Sequence, residues 1–179
     1  MSDILVVVDF QNDFVRGPLG TEEARAIIGN IKKKCQEYVD NKKMIVFTFD
    51  CHDKHYEKTL EGKCIPLHCM MDTSGWELVD ELKEFLEYDD IYCLNKSSYG
   101  SENLIKILNR EEYMFGKESV EFVGVCTDIC VVSNVLMSRS MNPYLPITVD
   151  ASCCAGTTPE NHLAALKVMQ ACNVKIIGE

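Results

Sequence analysis

Short apolar runs rich in β-branched residues alternate along this chain with longer stretches in which apolar positions recur every three or four residues. The short runs read as strands at Ile4–Asp9, Met44–Phe49, Ile91–Leu94, Val120–Val125, Ile147–Val149 and Val174–Ile177. The longer stretches read as helices over Glu22–Asn41, Gly75–Glu87, Ser101–Arg110, Asp128–Ser140 and Pro159–Cys172. Thr21 and Ser101 stand where helix caps belong, and Pro159 follows Thr157-Thr158 near a first turn. LVVV and EFVGV are apolar almost throughout, as in strands covered on both faces. Strands of that kind with helices between them predict an α/β protein, a three-layer α/β/α sandwich around a mostly parallel six-stranded sheet.

The bulk numbers narrow the function. With 179 residues, 46% hydrophobic and 26% charged, the chain fits one globular domain over 1–179, with no internal repeat or linker. A net charge of -10 argues against nucleic acid or an anionic membrane as partner, since both demand a basic surface. The acidic residues are spread over several helices and serve as a solvated face. No run approaches the ~18 apolar residues of a membrane span. The opening MSDILVVVDF has no basic segment and only five consecutive apolar residues, so a cytoplasmic location is expected. A reducing compartment disfavours disulfides, and the ten cysteines show no framework spacing, so most read as small buried hydrophobes.

In an open parallel sheet, ligands bind beyond the carboxyl ends of the strands. The first predicted strand ends in Asp9, the second in Asp50, the third runs into Lys96 and the fourth into VCTDIC. Asp9 either caps the next turn or does chemistry; no G-x-G-x-x-G follows it, which argues against a dinucleotide site. Most lysines are solvated, and Lys96 becomes functional only if buried beside an acid. Cys126 and Cys130 admit four readings: a disulfide, a zinc pair, core cysteines, or a site with one nucleophile. With Thr127 as N-cap, Cys130 falls at the third helical position, where the positive helix end lowers a thiol pKa. Cys126 then sits in the turn, and its N–H together with that of Cys130 could form an oxyanion hole. The irregular stretch Asp50–Ser74 holds three of the four histidines. Cys51, His52, His55, Cys64, His68 and Cys69 there could build a structural zinc knuckle, although no Cys-x2-Cys spacing occurs and Asp50 would be left unused.

The blocks VVVDFQNDF, KSSY, GVCTDICV and ASCCAGTTPENHLAAL resemble, in order and over nearly the whole chain, those of the isochorismatase-like cysteine hydrolases. TFDCHDKH and IPLHCMMDTSGWEL are similar to the nicotinamidase (pyrazinamidase) branch, with Asp-x-His followed by Pro-x-His. The resemblance implies the Rossmann-like isochorismatase hydrolase fold and a catalytic triad of Asp9, Lys96 and Cys130. It also implies an oxyanion hole from the amides of Cys126 and Cys130 and a cis peptide between Val125 and Cys126. Asp50, His52 and His68 become metal ligands, with Glu61 or His55 as a further one and Glu61 preferred. Such a nitrogen and oxygen set suits one divalent ion, zinc first, with iron or manganese as alternatives. Phe14 and Tyr99 match aromatic substrate-binding positions, whereas Ile65 stands where the branch carries an aromatic ring. Trp76 matches no role and reads as a helix-start residue packed on the core.

Relatives that cleave vinyl ethers lack the cysteine, so Cys130 implies amide hydrolysis. The expected reaction is nicotinamide to nicotinate and ammonia through a thioester on Cys130, a step of NAD salvage and pyridine nucleotide biosynthesis. The alternatives are another small amide, carbamoyl or ureido substrate, or a non-enzymatic α/β protein with structural zinc. The implied partners are a small-molecule amide and further copies of the chain in a homo-oligomer.

Overall fold

The computed structural model describes residues 2–109 and 118–179. Its strands are β1 (Ile4–Val8), β2 (Met44–Asp50), β3 (Ile91–Lys96), β4 (Val120–Val125), β5 (Ile147–Ala155) and β6 (Lys175–Ile177). They form one six-stranded sheet in the order β3-β2-β1-β4-β5-β6, and every pairing is parallel. The chain builds outward from β1 in one direction, then returns to its other side with β4. The crevice where such an order reverses lies between the carboxyl ends of β1 and β4, and that is where α/β sheets bind ligands.

The helices are α1 (Asn12–Val15), α2 (Glu22–Ala26), α3 (Ile28–Asp40), α4 (Glu102–Leu108), α5 (Val132–Met141) and α6 (Pro159–Ala171). Alternation along β1 separates two apolar cores. Leu5 and Val7 pack with Ile31, Tyr38, Phe47 and Phe85 on one face. Ile4, Val6 and Val8 pack with Leu104, Val135 and Leu166 on the other. Sheet and two helical layers make the expected sandwich, and the continuous apolar strands follow from burial on both sides. Among the described residues no helix is long and apolar enough to cross a membrane.

Caps fall where expected: Thr21, Ser101 and Thr158 accept from the N–H groups of Ala24, Leu104 and Asn161. Several boundaries differ from the sequence pattern. The stretch Glu22–Asn41 is two helices meeting at Ile27. The expected helix Gly75–Glu87 is instead a 3-10 helix over Asp80–Glu87. Residues 75–79 are drawn into extended bonding with the turn after β1. Leu78 bridges antiparallel to Gln11, and the Asn12 and Asp13 N–H groups donate to Glu77 and Gly75 carbonyls. β5 runs six residues past its expected end at Val149, because its pairing with β4 slips between Phe122 and Gly124 and then resumes at Cys154. Of the expected Ser101–Arg110 helix, Arg110 lies outside the described residues.

Candidate active site

Asp9 follows the last residue of β1 with φ at 48°, a left-handed conformation that aspartate tolerates better than most residues. Its N–H is held by the Thr48 carbonyl (3.1 Å), and its Oδ1 accepts from the Thr48 hydroxyl (2.7 Å). Lys96, the last residue of β3, is buried and brings Nζ to 2.7 Å from Asp9 Oδ2 and 3.3 Å from Asp50 Oδ1. The same nitrogen lies 3.6 Å from Cys130 Sγ. The condition for a functional lysine, burial beside an acid, is met. Burial pushes the Asp9 carboxyl above its ordinary range, against the pull of the Lys96 charge. Burial alone would depress Lys96, but Asp9, Cys130 and Asp50 outweigh it and hold the ammonium charged.

Cys130 sits in a π turn over Thr127–Val131 that leads into α5. The N-cap is Cys126 rather than Thr127, so Cys130 occupies the fourth position of the turn, not the third. The Thr127 hydroxyl bonds to His162 Nδ1 instead (2.8 Å). Burial pushes this thiol well above its usual range, Asp9 adds to that, and Lys96 opposes it. The peptide between Val125 and Cys126 is cis. The Cys126 carbonyl accepts from Ile129 and Val131 (3.1 Å each), the residues on either side of Cys130, so the wide turn passes over the Cys130 N–H.

Asp50, the last residue of β2, begins a second cluster. Its Oδ2 lies 3.2 Å from His52 Nε2 and 3.3 Å from His68 Nε2, and Glu61 Oε1 is 4.0 Å from His68 Nε2. One ligand atom from each of these four residues lies within 4.8 Å of the others. His68 Nδ1 faces the Pro66 carbonyl at 2.8 Å, an arrangement that places the proton on Nδ1 and leaves the Nε2 lone pair toward the carboxylates. Two carboxylates and two imidazoles around one point form a donor set that fits a divalent ion such as zinc, iron or manganese. Burial favours the neutral Asp50 acid, but the histidine hydrogen bonds and Lys96 outweigh it and hold the carboxyl below the usual range. His55 is not in this group: it is exposed, with its N–H tied to Asp53 Oδ1 in a local turn. No cysteine belongs to the group among the described residues, so the zinc knuckle is not formed there.

The two clusters meet at one cavity of about 500 Å³, whose lining includes Asp50, Glu61, His68, Cys126 and Cys130. Phe14 and Ile65 lie on its wall, and Phe14 meets His68 edge-on at 5.2 Å. Tyr99 is 38% exposed and lines a neighbouring groove between α4 and α5, near enough to the site that the charges of Glu61 and Cys130 act on its hydroxyl. Trp76 is half-buried against the core beside Phe49, ahead of the 3-10 helix rather than at its start. Thr48, Gln11 and Tyr56 do not stand out in the sequence pattern. Gln11 donates to the Asp50 carbonyl (2.9 Å) and accepts from the Asp50 N–H (2.8 Å), a bracket on the end of β2. Tyr56 is buried against His52, with ring centroids 4.1 Å apart, and its hydroxyl is 3.4 Å from His68 Nδ1.

An acid, a buried lysine and a thiol thus meet at the carboxyl edge of a parallel sheet, the set of groups that a cysteine hydrolase uses. Residues 3–178 match the isochorismatase domain, and the chain belongs to the isochorismatase family. It is 28% identical over 177 residues to an uncharacterized isochorismatase family protein PncA of Bacillus subtilis (strain 168), covering 93% of each chain. Among solved structures it is similar to pyrazinamidase/nicotinamidase of Streptococcus mutans UA159 (TM-score 0.84, 29% identity, 97% and 99% of the two chains). It is also similar to pyrazinamidase of Pyrococcus horikoshii in complex with zinc (TM-score 0.84, 26% identity, all of both chains).

Proposed function

We propose that the protein is a metal-assisted cysteine amidohydrolase that converts nicotinamide to nicotinate and ammonia. The observation that carries this reading is the buried lysine between Asp9 and Cys130, with Cys130 itself lining a cavity that also receives Asp50, Glu61 and His68 of the four-residue cluster. The similar solved proteins, a pyrazinamidase/nicotinamidase and a pyrazinamidase with zinc, support the same choice.

Asp9 takes the proton of the Cys130 thiol as sulfur bonds to the amide carbon. Burial pushes both the Cys130 thiol and the Asp9 carboxyl upward, and the charge of the adjacent Lys96 ammonium opposes both shifts and so favours the anion that the step needs. The N–H groups of Cys126 and Cys130 serve the tetrahedral oxyanion, a contact whose loss typically reduces rate ~10²–10³-fold. Asp9 returns its proton to the leaving nitrogen, the C–N bond breaks, and ammonia departs from an acyl thioester. Water then adds to the thioester carbon with Asp9 as base. The C–S bond breaks, sulfur regains a proton, and the carboxylic acid is released. Asp50, His52, Glu61 and His68 would hold a divalent ion, which would supply a Lewis-acid position beside the cavity.

One feature of the lining favours a neutral carboxamide over a carbamoyl amino acid. No lysine or arginine lines the cavity among the described residues, so a substrate carboxylate would lack a basic partner there.

The deciding experiment is ammonia release from nicotinamide and from a panel of small amides and ureido compounds, with metal-analysed protein. Cys130→Ala should lose turnover by at least about 10³-fold with an unchanged circular dichroism melt. Near-normal turnover in that variant would sink the nucleophile assignment, and a preference for N-carbamoyl amino acids would sink nicotinamide as the substrate.

A further inference from the structure

Asn134 follows Cys130 by one helical turn and is fully buried, without a place in the triad or the metal group. Its side-chain amide makes three hydrogen bonds. Nδ2 donates to the carbonyl of Cys130 (2.8 Å) and to that of Tyr99 (3.2 Å), and Oδ1 accepts from the Ser101 N–H (2.9 Å). Two of these partners belong to the segment that leaves β3 directly after Lys96, and the third is the backbone of the cysteine itself. A single amide therefore joins the two pieces of chain that bring Lys96 Nζ and Cys130 Sγ to 3.6 Å.

Helix stability alone does not call for asparagine here. Ser133 and Ser138, on the same turn and the next, each send a hydroxyl to the carbonyl four residues back, at 2.6 Å and 2.8 Å. A hydroxyl at 134 would serve the Cys130 carbonyl equally well. It has one donor, however, whereas the primary amide has two donors and an acceptor in one plane, and all three directions are used. What asparagine adds is the crossing to Tyr99 and Ser101.

We propose that Asn134 is a positioning residue that fixes the nucleophile turn against the lysine-bearing loop and so sets the Cys130–Lys96 spacing. The inference rests on Cys130 being the nucleophile, and its test keeps the two apart by reading the sulfur directly. Asn134→Ser retains the bond to the Cys130 carbonyl and severs the crossing; Asn134→Ala removes both. Both are compared with wild type for kcat and KM on nicotinamide, for melting temperature, and for iodoacetamide modification of Cys130 read by peptide mass spectrometry.

The expected result is a kcat lowered about 10- to 100-fold in both variants, the range for misplacement of reacting groups by ~1 Å. KM should change less than about threefold, and Cys130 alkylation should slow in parallel. A serine variant with wild-type kcat and alkylation rate would overturn the proposal, because a bond to the carbonyl would then suffice. So would a lowered melting temperature with both rates intact, or a failure of both variants to fold, since the amide would then be structural. If Cys130→Ala retained turnover, the nucleophile reading would fall, and the alkylation rates alone would still decide whether Asn134 places that sulfur.

Discussion

The Tyr56 ring lies on His52 while its hydroxyl approaches His68, so one side chain braces both imidazoles of the metal group. Removing the ring in Tyr56→Ala should weaken zinc binding about 10- to 100-fold, the usual effect of losing a support behind metal ligands. Tyr56→Phe, which keeps the stack, should retain most of that affinity; a competition titration with a chromophoric chelator measures both. For Cys126 the proposed mechanism uses only the backbone, so Cys126→Ala should keep turnover within about threefold of wild type, read by ammonia release. The same contrast explains what is legible in the sequence. Asp9, Asp50 and Lys96 stand out there because each is a charged residue closing an apolar strand. Tyr56 and Asn134 do not, because a lone tyrosine in a loop or asparagine in a helix becomes informative only when its partners from distant segments are known. Glu61 and His55 are both candidates by sequence, and only the fold of the 50–74 loop separates them, turning His55 outward.

Between elements, β4 meets β1 tightly at Gly124. Its φ is +116°, and a Cβ there would lie 2.2 Å from the Val8 carbonyl oxygen, one residue before Asp9. Gly124→Ala must push the central strands apart or distort the backbone, with destabilisation of at least about 2 kcal/mol by urea unfolding. Turnover should fall with stability, since β1 and β4 lead into the proposed base, Asp9, and the proposed nucleophile, Cys130. The parallel direction of the strands is readable from their apolar runs, because such runs suit burial on both faces, whereas their order in the sheet is not. Nor is the 75–87 segment. Its spacing of Leu78, Leu82 and Phe85 suits a helix, but backbone bonds to Phe10, Asn12 and Asp13 tie its opening residues to the turn after β1. Intrinsic periodicity lost to a tertiary pairing invisible within the window. The π turn at Cys130 escaped for a similar reason: it differs from an α-helical start by one residue of register.

At the scale of the molecule, a second ionic group, which includes Glu121 near the start of β4, ties the layers together. Lys34 of α3 bonds to Glu121 of β4 (2.8 Å) and Asp150 of β5 (2.7 Å), and the Tyr38 hydroxyl donates to Glu121 (2.8 Å). Burial raises the Asp150 carboxyl, but Lys34 and Ser152 outweigh it and hold the group below its ordinary value. Its contribution to stability is therefore complete above about pH 4 and fades as acid protonates it at lower pH. Lys34→Met should cost about 2 kcal/mol at pH 7 and flatten the fall in melting temperature as pH drops below about 4. A different consequence attaches to the position of β3 at the sheet margin, with Tyr92 and Cys93 exposed along it. Margins open before centres, and Lys96 arrives on this one while Asp9 follows the fully enclosed β1. Warming should therefore silence the enzyme by fraying before it melts. Activity is expected to disappear several degrees below the circular dichroism transition, while amide hydrogens of β3 exchange freely and those of β1 stay locked.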